Sequence, residues 1–349
     1  MAVEKVRHER EQRVLSRLVQ AQEENISFRV QGLGHRQRQS SPSGPAITYH
    51  MGEWDQVVSY QPEDLVVTAE AGLPISQLNR LLGEHRQWIP LHVADSQDDT
   101  VGGAVASGVD GIWRGGYGPF RDRILGMRVL TPGFGAIQVG SKVVKSVAGY
   151  NLPRVFVGTR GALGIITEVT LKVSPKPPLT CCWVWEGPLP ELVTQARRLE
   201  SLVAPWASLT LSREESGHLI LRAYWHGRAP TMDFLLGQLG EGQSPSSAEG
   251  FGPRTVAPIV LKGAVPRREL EALFKVWGDG YLVAELQFGG IFGAALTVGQ
   301  AHTIMSWIRQ RSGGVEVLSG PNPNVPALPS LPDVWKRLKE AYDPAGILG

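Results

Sequence analysis

Gly158-Thr159-Arg160-Gly161-Ala162-Leu163-Gly164-Ile165-Ile166-Thr167-Glu168 runs from a glycine-rich stretch straight into β-branched residues, and apolar and polar positions alternate on to Val173. Glycine permits tight turns and close backbone approach. Alternation with period two is the signature of a strand. The stretch therefore predicts a glycine turn feeding a long strand, Ile165 to Val173. That strand is stopped by Ser174-Pro175-Lys176-Pro177-Pro178, a proline cluster that removes backbone donors and marks the best domain boundary in the chain.

Working outward, three more glycine stretches lie upstream: Gly32-Leu33-Gly34, Thr100-Val101-Gly102-Gly103-Ala104-Val105-Ala106-Ser107-Gly108 and Gly115-Gly116-Tyr117-Gly118. Around them the sequence predicts a helix over Val14 to Ala21, strands over Ser27–Val30 and Leu65–Ala69, a helix over Pro74–Leu82, and paired strands over Ile124–Leu130 and Ala136–Val139. Backbone N–H groups in several glycine loops can together surround one elongated phosphate-bearing ligand, although any single cluster is equally a set of turns. Gly32 to Gln37 lacks the third glycine of a dinucleotide fingerprint, and Gly135 to Lys142 ends Gly-Ser-Lys where a P-loop needs Gly-Lys-Ser/Thr.

Downstream of the prolines, helical patterns (Pro190–Val203, Arg267–Trp277, Gln300–Arg311) alternate with strand patterns (Leu219–Trp225, Val256–Leu261, Tyr281–Gln287, Val315–Leu318). This predicts an antiparallel sheet covered by helices. The fold class expected is α+β, with a two-part ligand-binding domain over 1–176, an α+β cap domain over 177–332, and a C-terminal helix and tail over 333–349 returning to the first domain.

The chain has 349 residues, 42% of them hydrophobic, enough for two cores. A formal net charge of +2 gives no electrostatic case for a nucleic-acid partner. The two cysteines, Cys181 and Cys182, are adjacent; they imply no disulfide framework and supply too few ligands for a metal or iron–sulfur site. Met1 to Leu18 is charged and has no apolar core run, which argues against a secretory signal. Tyr281 to Ala295 is too short and too interrupted to span a bilayer.

In order, these motifs resemble the FAD-linked oxidases of the vanillyl-alcohol-oxidase (PCMH) type. The matching stretches are the first Gly-x-Gly turn, Thr100 to Gly108, Tyr117-Gly118, Lys145-Ser146-Val147-Ala148-Gly149-Tyr150-Asn151-Leu152 and Gly158 to Glu168. Tyr60 to Ala69, Phe120-Arg121-Asp122-Arg123-Ile124-Leu125-Gly126 and the closing Asp343-Pro344-Ala345-Gly346-Ile347 are most similar to the E-type flavin subunits of bacterial glycolate oxidases. The resemblance is strong over roughly 28–175 and weak over the second domain.

What the resemblance implies is non-covalently held FAD. The pyrophosphate turn would be Gly32, Leu33, Gly34, His35 and Arg36. The second cradle would run from Thr100 through Val101, Gly102, Gly103, Ala106 and Ser107 to Gly108, with Thr100 and Ser107 as side-chain donors. Pro90 and Leu91 would border the flavin, and Gly116, Tyr117, Gly118, Gly161, Gly164 and Ile166 complete the set. Relatives reading Gly-x-Gly-His-Ser attach the flavin through that histidine; here Arg36 replaces the serine, and its guanidinium suits a phosphate. Lys145 and Asp122 read as structural hydrogen-bond or salt-bridge partners. The activity implied is oxidation of a small 2-hydroxy acid such as glycolate, within a cytoplasmic complex or one peripheral to the inner membrane, alongside a second flavin subunit and an iron–sulfur subunit.

Such chemistry needs a base for the hydroxyl proton and a cation for the carboxylate. The second domain offers His218, His226, His302, Arg222, Arg267 and Arg268, each equally readable as a surface residue. The histidine-rich segment of catalytic relatives is absent; its nearest echo is Trp277-Gly278-Asp279-Gly280-Tyr281. Two alternatives therefore stand beside the first reading. One is a self-sufficient flavin oxidoreductase acting on D-lactate or a sugar. The other is a non-catalytic scaffold that retains FAD.

Overall fold

The computed structural model describes residues 2–34, 45–91, 98–141, 152–202, 204–239, 259–320 and 333–348. Helix α1 (Ala2–Glu23) leads into β1 (Ser27–Gln31) and β2 (Ala46–His50). There follow β3 (Val57–Gln61), β4 (Val66–Glu70), α2 (Ile75–Gly83), β5 (Gln87–Trp88), α3 (Val101–Ser107), α4 (Arg114–Tyr117), β6 (Ile124–Thr131), β7 (Gly135–Gly140), α5 (Pro153–Phe156), β8 (Ile165–Lys172) and β9 (Ser174–Pro175). The chain then forms β10 (Leu179–Glu186), α6 (Leu189–Ser201), β11 (Trp206–Arg213), β12 (Leu219–Gly227), α7 (Ala229–Leu239), β13 (Ile259–Ala264), α8 (Leu270–Trp277), β14 (Leu282–Glu285), β15 (Gly290–Ala295), α9 (Val298–Gln310), β16 (Gly314–Ser319) and α10 (Asp333–Tyr342).

The first lobe holds an antiparallel sheet ordered β3-β4-β8-β6-β7 and the parallel pair β1-β2. Strand β8 is buried along nearly its whole length, because both its faces are covered. Its apolar side joins Val67, Val129 and the α2 residues Leu78 and Leu82 in one core. Its polar side is met by hydroxyls and by α1. Thr68 and Thr170 share a hydrogen bond of 2.9 Å, and Glu168 receives Arg7 at 3.3 Å. Helix α1 is longer than the predicted Val14–Ala21 because its first half docks through charge: Glu11 grips Arg128 and Arg10 reaches Glu70 at 3.0 Å.

The second lobe is a seven-stranded sheet ordered β10-β12-β11-β14-β15-β13-β16, antiparallel throughout. One face packs under α6, α7, α8 and α9 through residues such as Leu199, Leu235, Phe274 and Ile304. The pleat turns alternate residues to the other face, and that face looks toward the first lobe. A third cluster joins the lobes there, bringing Val109, Ile112 and Trp113 against Cys182, Tyr224, Tyr281 and Phe292.

The proline cluster is partly tied back: β9 pairs with β5, and the Lys176 N–H donates to Arg86 O at 2.7 Å. The C-terminal tail returns to β1, where Phe28 N–H donates to Ile347 O at 2.7 Å and Phe28 bridges Leu348.

Candidate functional site: a glycine-bordered helix ending at an interlobe cleft

Helix α3 is the element on which the distant glycine stretches meet. At its start, Thr100 caps the helix, its Oγ1 accepting from Gly103 N–H at 3.0 Å. The turn after β1 lies against this cap so closely that a Cβ on Gly32 would stand 2.6 Å from Thr100 Oγ1. At its end, Gly108 takes the left-handed conformation (φ 58°) that favours glycine. There the Gly158–Gly164 loop docks, with Gly158 N–H on Val105 O at 3.0 Å and Arg160 N–H on Ala106 O at 2.9 Å. Lys262 of β13 also donates to Ser107 O at 3.1 Å and to Gly108 O. A path along α3 thus leads from the Gly32 turn to the second lobe.

Several donors of the expected second cradle have partners within the chain. Val101 and Gly102 N–H groups are spent on Leu73 O (2.9 Å) and Ala71 O (2.7 Å), and Ala104 N–H on Thr100 O (2.9 Å). Ser107 is not a free donor either; its hydroxyl donates back to Gly103 O at 2.7 Å. The cause is packing: a Cβ on Gly102 would lie 2.6 Å from Ala71 Cβ, so this glycine lets the helix close on the strand end. Thr100, Val101, Gly102 and Ser107 are buried, whereas Gly103, Ala106 and Gly108 are half-exposed.

Of the other predicted positions, Leu33 is exposed, Gly32 is exposed and Gly34 half-exposed beside it. Pro90 is buried and Leu91 half-buried. Gly161 is half-exposed, while Gly164, just before β8, and Ile166, within it, are buried, Gly164 against Val129. His35, Arg36 and Lys145 lie outside the described residues. Asp122 pairs with Arg154 at 2.6 Å, as a structural reading expects.

Gly116, Tyr117 and Gly118 sit where the lobes meet. Tyr117 Oη and His226 Nδ1 share a hydrogen bond of 2.8 Å. The histidine ring stands 4.7 Å from Trp113 and 5.7 Å from Trp88. Among the described residues, its Nε2 and the Trp88 Nε1 have no hydrogen-bond partner. Burial lowers the His226 pKa to about 4, so the ring is neutral at pH 7. Because the unfolded chain takes up this proton nearer 6.5, the contribution of His226 to stability is present above that pH and lost as pH falls toward 4. We expect the wild-type protein to lose up to about 3 kcal/mol against His226→Phe between pH 7 and pH 4 in urea titrations. A constant gap between the two proteins would show that the ring is not held neutral.

Close by, a cleft opens between the two lobes. Asp110, Gly111, Ile112 and Arg114 form one wall; Lys262, Gly263, Val283, Glu285, Gly290, Ile291 and Phe292 form the other. Glu285 stands on the lobe-facing side of β14, directly across from Thr210. Its two carboxylate oxygens accept Gln287 N–H (2.9 Å) and Phe288 N–H (2.8 Å). Burial nonetheless pushes its pKa up to about 7 against these hydrogen bonds and the nearby Arg114 and Arg267. Arg114 bonds Asp110 at 3.0 Å and lies 5.5 Å above the Phe288 ring. Burial pulls the Lys262 pKa down, opposed by Glu316 and Asp110.

Of the cap residues singled out from sequence, His226 lies between the lobes. His218 and His302 are exposed. Arg222 bonds Ser212 (2.7 Å) and Glu214 (3.1 Å), Arg267 pairs with Glu200, and Arg268 is 80% exposed. The Trp277–Gly280 echo is a turn clamped by Gln300, whose Nε2 donates to Trp277 O at 2.8 Å. Glu285, Arg114 and Lys262 were not among the candidates. The available signal was one acid inside the apolar run Tyr281-Leu282-Val283-Ala284-Glu285-Leu286, since an acid in such a run is rarely buried without a role.

Comparison with known proteins bears on the ligand. Residues 5–139 match the family model described as FAD binding domain. Glycolate oxidase subunit GlcE of Escherichia coli (strain K12) is 38% identical over 122 residues, 35% of this chain and 35% of that protein. GlcD of Bacillus subtilis (strain 168) is 32% identical over 35% of this chain and 26% of its own length. Mitochondrial D-lactate dehydrogenase [cytochrome] 1 of Saccharomyces cerevisiae is 33% identical over 38% of this chain and 23% of its own. The matched stretch thus spans about a third or less of these relatives. The fold is similar to that of an alkyldihydroxyacetonephosphate synthase structure (TM-score 0.68, 16% identity), over 95% of this chain and 73% of that one. The exposed Gly32 turn and the half-exposed small residues of α3 leave an open, side-chain-poor path that fits an elongated cofactor. Residues 5–139 carry an FAD binding domain.

Proposed function

We propose that this chain is the FAD-holding subunit of a glycolate-oxidase-type 2-hydroxy-acid dehydrogenase. The observation that carries the reading is the convergence of the glycine stretches on α3, whose far end abuts the cleft that holds Glu285. The chain's similarity to GlcE, GlcD and D-lactate dehydrogenase supports the hydroxy-acid class.

In this reading Gly32, Leu33 and Gly34, together with the outward residues Gly103 and Ala106, border the cofactor; the buried Thr100 and Gly102 hold α3 in place beneath it. Bound FAD supplies a two-electron acceptor. The interlobe cluster of Trp88, Trp113, Tyr117 and His226 excludes water beside the site, and Lys262 fixes the spacing of the lobes. Residues 1–176 act as the FAD domain, 177–332 as the cap, and 333–349 as a strap back onto the FAD domain. Partners are a second flavin subunit and an iron–sulfur subunit, in the cytoplasm or at the inner membrane's surface. No helix among the described residues is long and apolar enough to cross a membrane.

The test is an anaerobic titration with glycolate, first of the FAD-reconstituted chain and then of the assembled complex. We expect a flavin spectrum in both and bleaching in the complex. A chain that takes up no FAD, or a complex whose flavin stays oxidised, would overturn the reading. A D-lactate titration run in parallel addresses a second reading, favoured by the D-lactate dehydrogenase similarity; bleaching by D-lactate alone would establish it.

A further inference from the structure

The interlobe cleft carries more than a boundary between lobes needs. A carboxyl group is held inside it with both oxygens fixed by backbone amides, yet each oxygen retains a lone-pair site. Opposite stands Arg114, with one nitrogen on Asp110 and its guanidinium laid over Phe288. Among the described residues the remaining donors of that fork are uncommitted, and stacking on the ring fixes the plane in which they point. Lys262 differs: its three donors are spent on Ser107 O, Gly108 O and Glu316 Oε1 at 3.5 Å, so it is a strut between the lobes.

We propose that this cleft is the subsite for a small 2-hydroxycarboxylate, with Arg114 holding the carboxylate and Glu285 accepting the hydroxyl proton. The assignment rests on the flavin-dependent oxidation proposed above. In the step, the substrate O–H bond breaks and its proton passes to a Glu285 oxygen. The C2–H bond breaks and its hydride, with two electrons, passes to the flavin oxidant. The C2–O bond becomes a carbonyl, giving a 2-oxocarboxylate.

The charges around Glu285 set a pH signature. Arg114 and Asp110 stand near it on the first lobe, Arg267 in the turn before α8, and Lys262 on β13, itself paired with Glu316 of β16. Ionised Glu285 leaves this group neutral; protonated Glu285 leaves it with one net positive charge. A carboxylate should therefore bind better below pH 7 than above, whereas proton abstraction needs the ionised form.

Oxalate, which lacks the hydrogen to be abstracted, is the probe. Its binding to the FAD-reconstituted full chain is measured by calorimetry at pH 6 and pH 8. We expect wild type to bind about tenfold more tightly at pH 6. Arg114→Met should weaken binding about 10–100-fold at both pH values. Glu285→Gln should bind with no pH dependence and slow glycolate bleaching about 100-fold or more. Retained flavin absorbance reports that each variant is folded, and Arg114→Lys, which keeps the charge, should recover part of the loss. Wild-type oxalate affinity in both Arg114→Met and Glu285→Gln at both pH values would overturn the proposal, as would no oxalate binding by a flavin-loaded wild type. If the chain takes up no FAD, the flavin reading fails by itself, and oxalate quenching of tryptophan fluorescence in the unloaded chain still decides the cleft.

Discussion

Replacing Asp343 by alanine is expected to lower stability by about 3–5 kcal/mol, because it strips a buried charge from three donors at once. The Asp343 side chain is fully buried. One oxygen accepts Ile347 N–H at 3.1 Å; the other accepts Leu348 N–H at 2.9 Å and Lys339 Nζ at 2.6 Å. Lys339 in turn donates to Ala162 O (2.8 Å) and Leu348 O (2.6 Å). The carboxylate therefore closes the tail into a loop and holds that loop on the first lobe. Loss of the tail frees β1, whose end is the Gly32 turn, so FAD affinity should fall along with stability. Asp343→Asn keeps the size and an acceptor and should cost about 1–3 kcal/mol. Urea unfolding and FAD dissociation measured on the same samples check both parts. A loss below about 1 kcal/mol for Asp343→Ala would mean that the tail is held by apolar contacts instead.

The second large effect lies under α1. Glu11 is 2% exposed and binds Arg128 through both oxygens, one contact being 2.8 Å. Glu168 shares this environment, and burial raises its pKa against the pull of Arg7 and Arg128. Glu11→Ala leaves the half-buried guanidinium of Arg128 without its bidentate partner, at an expected cost of about 3 kcal/mol. The double variant Glu11→Ala/Arg128→Met should recover part of that loss, since a pair replaced by apolar groups costs less than a pair broken on one side. Additive losses in the double variant would show that the pair contributes no coupling.

These two networks illustrate what the sequence could tell. The closing Asp343-Pro344-Ala345-Gly346-Ile347 is legible as a motif, and the structure supplies its reason in local hydrogen bonds. Glu11 is not legible, because its partner Arg128 and its neighbour Glu168 lie in other elements far along the chain. The strands β4, β6, β7 and β8 and the helix α2 follow from periodicity and fall within a residue or two of expectation. The strands β10, β11 and β15 go beyond it. In β15 two glycines dilute the strand signal, and in β11 serine and threonine occupy the lobe-facing positions.

At the candidate site the order of the glycine stretches is legible, but the duty of each glycine is not. A residue without Cβ is demanded both by helix packing, as at Gly102, and by an open surface, as at Gly103. Glu285 and Arg114 acquire meaning only when two lobes close on each other, which no local window of sequence contains.

The return of the tail to β1 has a consequence for how the protein is made. Phe28 hydrogen-bonds to Ile347, and almost the whole described chain lies between them. On the ribosome, β1 and the turn that follows it emerge before the second lobe, yet their neighbour is translated only after it. The first lobe can collapse early around its five-stranded sheet, but the edge that borders the cofactor path stays unfinished until translation has passed Ile347. Cofactor capture should then be a late event in biogenesis, following synthesis of the second lobe, and nascent chains arrested before Asp343 should hold FAD weakly or not at all.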